Sequence, residues 1–118
     1  MLEKDAYEHL ELFYGGKVAV VCVSQQILDD PRVEDSDAEV VNQIPRQIHG
    51  VEVSAVIRRR GEEIKVSLRS NDYYDVASLA KRFGGGGHVH AAGCRFRTSV
   101  EDAKKQILKA LEGEFNAD

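Results

Sequence analysis

The sequence predicts an α/β domain: a mixed sheet of about four to five strands that contains an antiparallel hairpin and is flanked by helices. Three observations carry that expectation. Two segments alternate apolar and polar residues on either side of Arg60-Gly61, the pattern of a β-hairpin. The run Lys17-Val18-Ala19-Val20-Val21-Cys22-Val23-Ser24 is apolar on both faces, as an interior strand is. Between and after these segments, apolar residues recur at helical spacing. The hairpin forces one antiparallel pair, and the other connections allow parallel pairing.

Leu2, Ala6, Leu10 and Phe13 fit a helical stripe that Gly15-Gly16 stops, so residues 1–16 are expected to form a helix from a preceding linker. The interior strand follows. Ser36 and Glu39 then form a capping box ahead of Val40, Val41, Ile44 and Ile48, with Pro45 kinking that helix. Val51, Val53, Ala55 and Ile57 make the first hairpin strand; Ile64, Val66 and Leu68 make the second. Lys65, Ser67 and Arg69 share the opposite face of that second strand. Arg58, Arg59 and Arg60 are expected at a solvated hairpin tip.

Asn71, Asp72 or Asp75 can cap the next helix, on which Val76, Leu79, Ala80 and Phe83 share a face. Gly84 stands where a helix-ending glycine belongs. A loop of glycines leads to a short strand with Cys94 and Phe96 turned inward. Ser99 and Asp102 open a last helix carrying Val100, Ala103, Ile107 and Leu111, with fraying expected from Gly113 onward.

At 118 residues, 42% hydrophobic and 31% charged, the chain is one soluble-type domain able to bury its own core. No apolar run nears the roughly 20 residues of a membrane span. The opening Met1-Leu2-Glu3-Lys4-Asp5 has neither the basic start nor the apolar stretch of a signal peptide. Cys22 and Cys94, far apart in apolar contexts, read as free thiols. A cytoplasmic protein without a membrane partner is expected.

A net charge of -4 argues against binding a long polyanion over the whole surface. The charge is uneven, however. Asp29 to Glu39 holds six acids and one base, whereas Lys81 to Arg97 holds four bases and no acid. Inside that basic segment lies Gly84-Gly85-Gly86-Gly87-His88-Val89-His90-Ala91-Ala92-Gly93. Consecutive glycines can turn several N–H groups toward one point, which makes an anion-binding cup. The competing reading is a flexible linker or an over-long helix stop. His88 adds a donor that can carry charge near neutral pH. His88 and His90 could also hold a metal, but no acid between Lys81 and Arg97 completes a ligand set. Arg69, closing a strand before Ser70-Asn71, is either a solvated arginine or a phosphate fork. No Asp/His cluster for metal-assisted hydrolysis and no nucleophile–base pattern is evident.

Val66-Ser67-Leu68-Arg69-Ser70, Asp75-Val76-Ala77-Ser78-Leu79-Ala80, Phe83-Gly84-Gly85-Gly86-Gly87-His88 and Ala91-Ala92-Gly93 together resemble the DHH-associated C-terminal domain of the DHH phosphoesterases. The likeness runs over most of Lys17 to Leu111. Its tetraglycine and His88 look most like the branch that degrades very short RNAs and adenosine bisphosphate. Cyclic-dinucleotide phosphodiesterases and RecJ-like exonucleases share the domain; the alanyl-tRNA synthetase version usually has Arg where His88 stands. The resemblance implies that residues 17–118 are the substrate-binding domain of a longer manganese-dependent phosphoesterase. The catalytic DHH domain, with its manganese ligands, would be a separate N-terminal partner. The substrate-binding residues it implies are Arg69, Ser70, Gly85, Gly86, Gly87 and His88. Asn71, His90 and Ala91 join as further candidates, His90 standing where relatives often carry Asn. A nucleotide or short RNA or DNA is the implied ligand, and a homodimer is allowed. A non-enzymatic RNA-binding module is the rival reading.

Overall fold

The computed structural model describes residues 10–23 and 49–115. Within them the chain forms β1 (Leu10–Phe13), β2 (Val18–Cys22), β3 (Val53–Arg60) and β4 (Glu63–Ser70). Then come α1 (Val76–Lys81), β5 (Gly86–His88), β6 (Ala91–Phe96) and α2 (Val100–Phe115). The strands join in one mixed sheet of order β1-β2-β3-β4-β6-β5. Only β2 and β3 run parallel among these neighbours; the other pairs are antiparallel. The expected mixed sheet and hairpin are present, and the six strands exceed the expectation through the short edge strands β1 and β5.

The N-terminal expectation needs correction. Leu10–Phe13 is a strand, not a helix, paired with Val18–Val21 through a turn at Tyr14–Lys17. The spacing of Leu10 and Phe13 fits either element, and the ladder to β2 decides it. The expected capped helix with its Pro45 kink lies outside the described residues. So do residues 1–9 of the expected N-terminal helix.

β3 is buried on both faces for most of its length, and β4 alternates strictly. Its inward residues Ile64, Val66 and Leu68 join Val18, Val20, Val53, Ala55 and Ile57 in the core. Both helices cover that face. α1 contributes Val76, Leu79 and Ala80; α2 contributes Ala103, Ile107 and Leu111, one per turn. Phe83 and Phe96 close the layer with ring centres 5.2 Å apart. Ser99 Oγ accepts the Asp102 N–H at 3.0 Å and caps α2. The helix then continues through Gly113 to Phe115, beyond the expected fraying point. Tyr14 donates its hydroxyl to the Leu108 carbonyl at 2.7 Å, and Lys104 pairs with Glu11, so α2 is tied to the β1 edge.

Arg58 also departs from expectation. It is buried, whereas Arg59 is half-buried and only Arg60 is exposed. The turn residues are Gly61 and Glu62, so the arginines are the end of β3 and not the tip itself. No helix among the described residues is long and apolar enough to cross a membrane.

Candidate functional site

The glycine run does several different jobs. Gly84 adopts a positive φ of 80°, its N–H donates to Lys81 at 3.2 Å, and Gly85 N–H donates to Ala80 at 2.9 Å. This is a Schellman ending for α1 and satisfies its last carbonyls. A Cβ on Gly85 would lie 2.1 Å from the Gly93 carbonyl oxygen, and one on Gly87 would lie 2.6 Å from that of Ala91. Both therefore permit close packing of backbone on backbone. Gly86 to His88 form β5, paired with β6. The expected cup of converging amides is thus corrected: helix carbonyls take the N–H groups of Gly84 and Gly85, and the rest is an edge strand. An edge strand still offers alternate backbone donors outward.

Gly86 differs from its neighbours. A Cβ there would meet nothing within 4 Å. The fold does not require a glycine at this position, and the space above it is open. Gly84, Gly85 and Gly86 wall a pocket of about 450 Å³ whose other lining includes Phe83, Gly93, Cys94, Lys65 and Arg95.

Register gathers the remaining candidates. Arg69 pairs with Ala91, and Ala91 pairs with His88, so the three form one cross-strand row. Directly opposite residues point to the same face of a sheet, here the face away from the helices. Arg69 and Ala91 are half-buried and His88 is exposed. Arg69 also donates from Nη1 to the Leu68 carbonyl at 3.0 Å. The row therefore sets a guanidinium and an imidazole on either side of a methyl group, with backbone positions about 10 Å apart across two strand spacings.

Ser70 alternates to the other face and is buried. Its Oγ lies 3.0 Å from His90 Nδ1 and donates to the Val89 carbonyl at 3.3 Å. Its N–H donates to the His90 carbonyl at 3.1 Å, and Val76 N–H takes the Val89 carbonyl at 2.9 Å. The Val89-His90 turn is thereby fixed to the end of β4 and the start of α1. Asn71 donates from Nδ2 to the Val51 carbonyl at 2.7 Å and from its N–H to the Glu52 carbonyl at 2.9 Å. It anchors the backbone beside the row.

Glu52 is a residue that sequence reasoning missed. It is 5% exposed, and its Oε2 accepts the N–H groups of Asp72, Tyr73 and Tyr74 at 3.1, 2.8 and 2.9 Å. One carboxylate thus holds the loop between β4 and α1, leaving Tyr73 62% exposed beside it. The available signal was a lone acid between Val51 and Val53. Asp75, one of the three expected caps, is the actual one: it accepts the Ser78 N–H at 3.1 Å. That bond holds its carboxyl below the ordinary range. Burial pushes the Cys94 thiol up to about 11, making it an inert core residue.

Among the described residues, no three His, Cys, Asp or Glu side chains converge to hold a metal ion. His88 and His90 diverge in role: one lies on the open row, the other is drawn back to Ser70. The described residues therefore do not fit a manganese centre.

A family profile described as the DHHA1 domain matches residues 15–117. The bifunctional oligoribonuclease and PAP phosphatase NrnA of Thermus thermophilus is 33% identical over 103 residues, covering 86% of this chain and 30% of the relative. An exopolyphosphatase-related protein of Bacteroides fragilis superposes with a TM-score of 0.88 at 28% identity, over 98% of this chain and 34% of that one. The pGpG-specific phosphodiesterase PggH of Vibrio cholerae shares the fold at a TM-score of 0.65 and 16% identity, over 99% of this chain and 38% of its own. The chain thus spans about a third of the length of these proteins.

Proposed function

The chain belongs to the DHHA1 domain family, and from that premise we propose that it is the nucleotide-binding part of a phosphoesterase acting on short oligoribonucleotides. The observation that carries this reading is the cross-strand row Arg69–Ala91–His88 on the sheet face away from α1 and α2, beside a glycine edge strand. Arg69 supplies a planar fork suited to phosphate, and His88 supplies a second donor that strengthens when protonated. Gly86, in the neighbouring row, lets a ligand approach the backbone beside them. Ser70, His90, Asn71 and Glu52 position this row without needing to touch the ligand. Ala91 keeps the space between the two donors shallow.

The relative that is 33% identical is named an oligoribonuclease and PAP phosphatase, which supports a short phosphorylated nucleotide as ligand. Hydrolysis is assigned to another domain of a longer protein, because the described residues hold no catalytic constellation. The manganese implied by the resemblance is assigned to that other domain too.

The test is titration of a fluorescent 3′-phosphorylated mononucleotide and a triadenylate into the full chain and its His88→Ala and Arg69→Gln variants. A charge-assisted hydrogen bond sets the expected loss at about 10- to 100-fold in affinity. Unchanged affinity in both variants refutes the assignment.

A further inference from the structure

The pocket beside the glycine run is lined by Lys65 and Arg95, whereas His88 is not part of its wall. Lys65 and Arg95 are direct partners on β4 and β6, and Lys65 is the direct partner of Arg58 on β3. Three cations therefore stand in one cross-strand row on the same face as Arg69 and His88. Lys65 and Arg95 both line the pocket, so an anion seated there is attracted by the two together. Arg58 and Lys65 are each engaged in an interaction of their own. On the pocket side Glu63 lies 3.7 Å from Arg95, but the two side chains are 36% and 67% exposed, so the pair is weak. A second cavity of about 420 Å³ continues from the same two cations past Arg60 and Glu63.

Between the two rows lies a third, made of Ser67, Gly93 and Gly86. It has almost no side-chain volume. Four residues along a strand separate Arg69 from Lys65, which is about 13 Å. One phosphate cannot touch both ends of that span. The face is thus a shallow trough with a small-residue floor and positive charge at each end. Gly86, the glycine whose missing Cβ the fold does not need, lies on this floor.

We propose that Lys65 and Arg95, with the pocket walled by Gly84, Gly85 and Gly86, form a second anion subsite. It takes another backbone phosphate of the same oligonucleotide whose terminal phosphate sits at Arg69 and His88. The proposal rests on the nucleotide-binding reading above and adds a length requirement to it. A mononucleotide occupies the first row only, and a longer strand gains the second. Glu63 competes with the ligand for Arg95.

The experiment compares the 3′-phosphorylated mononucleotide with a pentaadenylate on the full chain, measured by fluorescence anisotropy at several salt concentrations. Lys65→Gln and Arg95→Gln are expected to weaken pentaadenylate binding about 10-fold each and leave the mononucleotide unchanged. The salt slope for the pentamer should shrink by about 0.7 for the lost phosphate contact. Glu63→Gln should tighten pentamer binding by a few-fold, a gain that misfolding cannot produce. If Lys65→Gln, Arg95→Gln and Glu63→Gln bind the pentamer as wild type does while His88→Ala does not, the second subsite is overturned and the first stands. If His88→Ala and Arg69→Gln bind the mononucleotide as wild type does, the first reading fails and takes the second with it.

Discussion

Ser70 and His90 are joined twice, through Oγ to Nδ1 at 3.0 Å and through N–H to carbonyl at 3.1 Å. They are twenty residues apart in sequence. Their union fixes the turn between β5 and β6 against the end of β4, and so sets where His88 stands relative to Arg69.

Ser70→Ala removes the hydroxyl's contacts with both His90 Nδ1 and the Val89 carbonyl and keeps the backbone bond. A net hydrogen bond of about 1 kcal/mol corresponds to roughly a fivefold change. Nucleotide affinity should fall by that order, with the melting temperature lowered only slightly. Faster amide exchange at Val76, whose N–H is bonded to Val89, would locate the loosening in the turn.

Gly85 and Gly86 should separate stability from binding. Gly85→Ala puts a Cβ 2.1 Å from the Gly93 carbonyl, so the β6 edge must shift and the melting temperature should fall clearly. Gly86→Ala meets nothing within 4 Å and should melt as wild type does. It should nonetheless weaken pentaadenylate binding, because the methyl group fills the floor of the trough. Wild-type affinity in Gly86→Ala would show that no ligand approaches that surface.

Glu52→Ala leaves three N–H groups without their acceptor. Losing charge-assisted bonds at a buried position should cost about 3 kcal/mol. Urea denaturation measures it. Glu52→Gln keeps one acceptor oxygen and should lose less. A change below about 0.5 kcal/mol in Glu52→Ala would mean that the loop finds water as readily as the carboxylate.

Alkaline pH should unfold the protein earlier than acid–base behaviour of an exposed thiol would suggest. Burial raises the Cys94 pKa from 9.0 to about 11, so the folded state resists ionisation that the unfolded chain undergoes. The contribution of the un-ionised thiol to stability is therefore fully present below about pH 9.0 and is lost as pH rises toward about 11. Burial raises Cys22, Tyr14 and Tyr74 in the same sense. Melting curves between pH 8 and 11 should fall, and Cys94→Ala should flatten part of that fall.

Much of this architecture was legible because each element carries its own periodicity. The alternation of Ile64, Val66 and Leu68 with Lys65, Ser67 and Arg69 gives one strand and both its faces. Val76, Leu79 and Ala80 give a helix that faces the core. Gly84 at the end of that helix was equally readable, because a left-handed stop is a local demand. The edge strands were not. Leu10 and Phe13 satisfy a helical spacing as well as a short strand, and only pairing with β2 chooses between them. Four identical glycines carry no internal pattern, so their division into a helix stop, close packing and an edge strand depends on what lies against each one.

The sequence by itself determined the alternation, the hairpin, the helix ends and the concentration of basic and glycine residues near one segment. These follow from the side chain of each residue and the backbone it favours. Tertiary structure alone decided that Arg69, Ala91 and His88 share one row, that Arg58, Lys65 and Arg95 share another, and that Glu52 reaches three distant amides. Cross-strand register depends on which strands meet and where, and no single segment encodes it.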